Sequence, residues 1–111
     1  MNHYEIWVDL APGAKDMEFI DAVHAYLGHI KSQGKLDSYT IRRRKFGFGP
    51  EGLGEFYISI AFRDLAQLDG AFFIAATRDA TVEPLHHAVY SRVTNYKSGL
   101  YRDFPDEVRV I

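Results

Sequence analysis

The chain has 111 residues, no cysteine, 47% hydrophobic and 14% aromatic residues, and a formal net charge of -2 from 13 Lys and Arg against 15 Asp and Glu. Such a length suits one domain over residues 1–111, and the apolar content excludes a disordered chain. The missing cysteines exclude disulfide frameworks, thiolate zinc sites and cysteine nucleophiles and suit the cytoplasm, while the near-neutral charge gives no general pull toward nucleic acid or anionic lipid.

Residues 3–10 alternate, with Tyr4, Ile6, Val8 and Leu10 on one side and His3, Glu5, Trp7 and Asp9 on the other, which predicts a half-buried first strand. Acidic residues inside this apolar run rule it out as a signal peptide or membrane span. After the Ala11, Pro12, Gly13 turn the spacing becomes helical through Met17, Ile20, Val23, Leu27 and Ile30, closed by Gly34. Residues 36–48 and 55–62 predict two strands joined by the long loop GFGPEGLG; in the second, Phe56, Ile58, Ile60 and Phe62 form one apolar row. Asp64 with Gln67 three residues on has the form of a capping box, opening a helix through Leu65, Leu68, Phe72 and Ala75.

The stretch TRDAT breaks that helix. A second segment starts at Thr81 as N-cap, with Pro84 in its first turn, and the stripe Val82, Leu85, Val89, Val93, Tyr96, Leu100 extends it. The last strand is then expected at residues 107–111, with part of GLYRDF as the alternative. The order is β-α-β-β-α-β, an α+β ferredoxin-like sandwich whose four-stranded antiparallel sheet carries its helices on one face.

The other face receives His3, Glu5, Trp7 and Asp9, then Glu55, Tyr57, Ser59 and Ala61, and, if Tyr39 and Ile41 point inward, Ser38, Thr40, Arg42 and Arg44. A Trp and a Tyr among mixed charges make this face too aromatic for plain surface and too polar for a dry core. A second copy packed on it as a homodimer covers it most simply; a stacked ligand is the alternative. Element order and the segments EPLHHAVYS and YRDFPD make the chain resemble the dimeric α/β-barrel superfamily, in one of its small bacterial groups of uncharacterised function. That resemblance implies a homodimer with a cavity between its sheets. It leaves the reaction open, because relatives there include cofactor-independent monooxygenases, lactone isomerases, haem-degrading enzymes and stress-responsive proteins.

Arg42 and Arg44 alternate onto the open face, where guanidinium forks match planar oxyanions; the plainer reading is a charged edge strand paired with Glu5, Asp9 or Glu55. Trp7 and Tyr57 are placed to flank a planar aromatic ligand or simply to fill a subunit interface. His86 and His87 are candidates for a general acid or base, but adjacent helical residues lie roughly 100 degrees apart and do not share a metal. His24 and His29 lie on different faces of the first helix. GFGPEGLG lacks the lysine and following helix of a phosphate loop, and Ser91 and Ser98, expected inside a helix, have no nucleophile elbow.

The residues thus favour a small-molecule-binding homodimer, acting without metal or organic cofactor on an aromatic or carboxylate-bearing metabolite between the sheets, through Trp7, Tyr57, Arg42, Arg44 and His86 or His87. A non-enzymatic dimeric scaffold or stress-responsive protein is the alternative. A single-stranded RNA platform is disfavoured, since Tyr57 alone of the third strand offers an open-face ring and the net charge is negative.

Overall fold

A computed structural model describes residues 1–105 as β1 (Asn2–Leu10), α1 (Asp16–Ser32), β2 (Ser38–Arg43), β3 (Phe56–Phe62), α2 (Leu65–Ala76), α3 (Val82–Tyr90) and β4 (Val93–Arg102). The strands form one antiparallel sheet in the order β2-β3-β1-β4. This is the expected α+β ferredoxin-like arrangement, with the second helical layer divided between α2 and α3. Among the described residues no helix is long and apolar enough to cross a membrane.

Register explains why the alternating rows work together. Ile6 stands opposite Ile58 and Trp7 opposite Tyr57, so the apolar row of β1 joins that of β3, and the polar-aromatic rows join on the reverse side. Ile6, Val8, Phe56, Ile58, Ile60 and Phe62 are buried beneath the helices. Against them α1 inserts Phe19, Val23, Leu27 and Ile30, and the Phe19 ring meets Phe56 edge-on at 5.2 Å. The helical stripe therefore begins at Phe19, while Met17 is 65% exposed. Gly34 stops the helix at φ +71°, a left-handed conformation that glycine adopts without a Cβ clash.

At α2, Asp64 Oδ1 accepts from the Gln67 backbone N–H at 2.8 Å, as a cap should. The Gln67 side chain does more than close a box. Its Oε1 accepts from the Arg63 N–H at 2.9 Å and its Nε2 donates to Gly34 O and Asp37 Oδ1 at 3.0 and 2.9 Å, tying α2 to the α1–β2 connection. Thr81 is the N-cap of α3, yet Asp79 Oδ1 accepts the Thr81 and Val82 N–H groups and Thr81's hydroxyl makes no capping bond.

The C-terminal third corrects one expectation. The helix stops at Tyr90, and the stripe positions Val93, Tyr96 and Leu100, expected to extend it, lie in the fourth strand, Val93–Arg102, so the alternative of an extended GLYRDF is met over residues 99–102. Ser91 is accordingly the helix C-cap and Ser98 lies in a strand. A β-bulge caused the misreading. Trp7 pairs with Lys97 and Asp9 with Thr94, so Asn95 and Tyr96 together oppose Val8, with Asn95 at φ +53°. The extra residue puts Val93 and Tyr96 on one side three positions apart, and strand alternation then adds Leu100 four further on, reproducing a helical spacing. The strand expected at residues 107–111 lies outside the described residues.

Candidate functional site

The sheet presents two very different sides. On the open side Trp7 and Tyr57 stack, with centroids 5.4 Å apart and planes 8° from parallel. Tyr57 Oη donates to Glu5 Oε2 at 2.6 Å and Ser59 Oγ to Glu5 Oε1 at 3.1 Å, so Glu5, only 8% exposed, has both carboxylate oxygens satisfied within the chain. Partial burial and the Glu5 bond raise the Tyr57 hydroxyl above its ordinary value. Arg42 donates to Thr40 Oγ1 at 2.8 Å.

Arg44 lies beyond the end of β2, and its Nη2 donates to Leu53 O at 2.9 Å and Pro50 O at 3.3 Å. Arg43 points the other way, to Glu55 and Asp16. The hairpin loop is also tied down at its far end. Asp9 accepts from the Glu55 N–H at 2.9 Å and from Asn95 Nδ2 at 3.0 Å, and the Asn95 and Glu55 bonds, in that order, hold its carboxyl below the usual range. Lys97 Nζ donates to Gly52 O at 2.5 Å. Trp7, Tyr57, Arg42 and Arg44 together border a cavity of about 190 Å³ at this end of the open face.

The larger cavity, about 310 Å³, lies on the other side, between sheet and helices. It exists because α2 stands off from the sheet: Gln67 is its one fully buried residue, and small Ala71 and Ala75 face the space. Apolar side chains such as Ile6, Ile30, Ile60 and Phe62 form the floor, and one wall is aromatic, comprising Tyr4, Tyr26, Tyr90, Tyr96 and His86. The His86 ring lies 4.4 Å from Tyr90 and meets Tyr26 edge-on at 5.6 Å. Tyr90 approaches Tyr96 at 5.7 Å, and the hydroxyls of Tyr96 and Tyr4 share a hydrogen bond of 2.6 Å.

Burial governs the titration of this wall. It raises Tyr26 and Tyr90, and raises Tyr96 to about 12 together with the bond from Tyr4, so these phenols stay protonated as donors. It lowers His86 below its ordinary 6.5, against a smaller opposing pull from Glu83, so the imidazole is neutral and can accept a proton at neutral pH.

The structure thus separates residues that the sequence reading grouped. Trp7, Tyr57, Arg42 and Arg44 share one cavity, His86 lines the other, and His87 is exposed on α3. His24 donates to or accepts from Tyr39 Oη at 2.8 Å. The tyrosines of the larger cavity were missed as site residues. Their signal was present in Tyr4 and Tyr96, each a core-facing position where an apolar residue was expected but a hydroxyl needing a partner is found. Among the described residues no three His, Asp or Glu side chains converge as a metal site.

A model of a family of unknown function, DUF6614, matches residues 1–111. The chain belongs to the DUF6614 family. No curated protein matches this DUF6614 chain in sequence. Its fold is similar to that of At3g17210 from Arabidopsis thaliana, with a TM-score of 0.74 at 6% identity, covering 99% of this chain and 100% of that one. It is similar also to SnoaB, described as a cofactor-independent oxygenase from Streptomyces nogalater, at 0.66 and 16% identity over 97% of each chain. A third similar structure, a dimeric ferredoxin-like protein of unknown function from Jannaschia sp. CCS1, gives 0.69 at 9% identity over 92% of this chain and 98% of that one. At such identities the likeness is one of fold.

Proposed function

We propose that the protein is a homodimer, joined through the open sheet face, that binds a small planar aromatic molecule in the helix-side cavity of each subunit and performs acid–base chemistry on it with side chains alone. The observation that carries this reading is the aromatic wall itself, an apolar space with one neutral imidazole and a hydrogen-bonded pair of phenols facing it. Its volume of about 310 Å³ stands at the low end of ligand pockets, which suits one or two fused rings.

In this reading His86 takes a proton from a phenol or enol of the substrate through one ring nitrogen. The hydroxyl proton that the Tyr96–Tyr4 pair does not spend on its own bond is donated to the oxyanion that remains, and the raised titration of Tyr96 keeps that hydroxyl protonated. Two likenesses support the assignment: SnoaB, described as cofactor-independent, has this fold, and the Jannaschia protein is described as dimeric. The open face adds a physical reason for a partner, since Trp7 and Tyr57 are half-buried there beside a carboxylate that needs no solvent.

The test is a calorimetric titration with 1-naphthol, a neutral two-ring phenol. Wild-type protein is expected to bind it saturably, Tyr96→Phe about fivefold more weakly for the loss of one hydrogen bond, and Ala75→Phe, which fills the cavity, not at all. Absence of binding by 1-naphthol and other planar phenols to an intact dimer would overturn the small-molecule reading in favour of a non-enzymatic dimeric scaffold.

A further inference from the structure

Arg42 and Arg44 share a cavity but are in different situations. The Arg44 guanidinium is committed to the Pro50 and Leu53 carbonyls, and the loop wraps it so closely that a Cβ on Gly49 would fall 2.3 Å from its Nε. It is a strut that holds the cavity's loop wall. Arg43 is committed as well, to Glu55 at 2.9 Å and Asp16 at 3.1 Å.

Arg42 alone of the three keeps its charge unanswered: among the described residues it makes one hydrogen bond, to the neutral Thr40 hydroxyl, and no ion pair. The acids around it are engaged elsewhere: Glu5 is turned to Tyr57 and Ser59, and Glu55, which borders the same cavity, to Arg43. In the strand register Arg42 stands opposite Tyr57, which stands opposite Trp7, so one unpaired guanidinium borders two parallel rings.

We propose that this cavity is a second ligand site, selective for a small planar aromatic carboxylate. The ligand ring packs against Trp7 and Tyr57, and its carboxylate takes the fork of Arg42. A volume of about 190 Å³ admits a single ring. The two sites lie on opposite sides of the sheet and differ in charge, so this inference is independent of the helix-side cavity, although it shares Trp7 and Tyr57 with the face proposed to join the subunits.

The chain holds a single tryptophan, Trp7, and it belongs to this site, so intrinsic fluorescence reads the site directly. Full-length protein would be titrated with 4-hydroxybenzoate, using benzyl alcohol as the neutral control. The expected result is a saturable change with 4-hydroxybenzoate and none with benzyl alcohol. Arg42→Gln should weaken the affinity about tenfold, and Arg42→Lys, which keeps the charge and loses the fork, by less. Ala75→Phe should leave it unchanged. The proposal is overturned if wild-type protein gives no saturable change, if Arg42→Gln binds as tightly as wild type, or if Ala75→Phe abolishes the response, which would assign the binding to the other cavity.

Discussion

The two faces of one sheet are built from the same strands by alternate residues, yet they follow different rules. Beneath the helices Ile6, Val8, Ile58 and Ile60 are buried, and stability there is a matter of close packing. On the open side Glu5, Trp7, Tyr57 and Ser59 cover one another through two hydrogen bonds and a ring stack. This cluster, its polar groups satisfied before any partner arrives, can be laid against another surface without leaving a buried donor or acceptor unpaired, whereas Arg42 at the edge of the same face keeps a free charge. The helix side adds a contrast within itself, because the packing that is tight under α1 loosens under α2 into a cavity with polar edges.

Substitutions can break or sharpen this contrast. The largest effect is expected beneath α1, where Phe19 is wholly buried: Phe19→Ala should cost about 3–5 kcal/mol in urea unfolding, with no route to repair. Next comes Gly54→Ala, since a Cβ there would lie 2.2 Å from the Val8 carbonyl carbon and backbone must move; about 3 kcal/mol is expected. On the open face Trp7→Glu should cost each folded subunit only about 1 kcal/mol, the scale of one aromatic pair, but convert a dimer to monomer in sedimentation. A dimer that survives Trp7→Glu would place the subunit contact elsewhere.

The smallest effect is a pH dependence. His86 titrates lower in the folded chain than its ordinary 6.5, so the unfolded chain takes up the proton first as the pH falls. Its titration therefore leaves stability unchanged well above 6.5 and destabilises the fold as pH drops through 6.5 toward the lower folded value. Urea midpoints between about pH 8 and about pH 5.5 should fall more steeply for wild type than for His86→Gln.

The face assignment was legible because β1 and β3 alternate without interruption, and the helix starts were legible because Asp64 and Thr81 precede apolar stripes. β4 was not, since a single left-handed Asn95 shifts the alternation and leaves a spacing that imitates a helix. Within the smaller cavity the four residues were identifiable from strand parity, but Arg44's role as a strut depends on how the loop folds back, which no periodicity encodes. The larger cavity was invisible for a related reason: it arises from the stand-off of α2, a property of three elements together, and its tyrosines come from β1, α1, α3 and β4.

The central claim is that the helix-side cavity, and not the open face, receives the planar phenol. Carbon-13-labelled tyrosine tests it, because the seven tyrosines are divided between the two sides of the sheet. Addition of 1-naphthol should shift the ring signals of Tyr4, Tyr26, Tyr90 and Tyr96 and leave Tyr57 and Tyr101 where they were. Shifts confined to Tyr57, with the four cavity tyrosines unmoved, would contradict it.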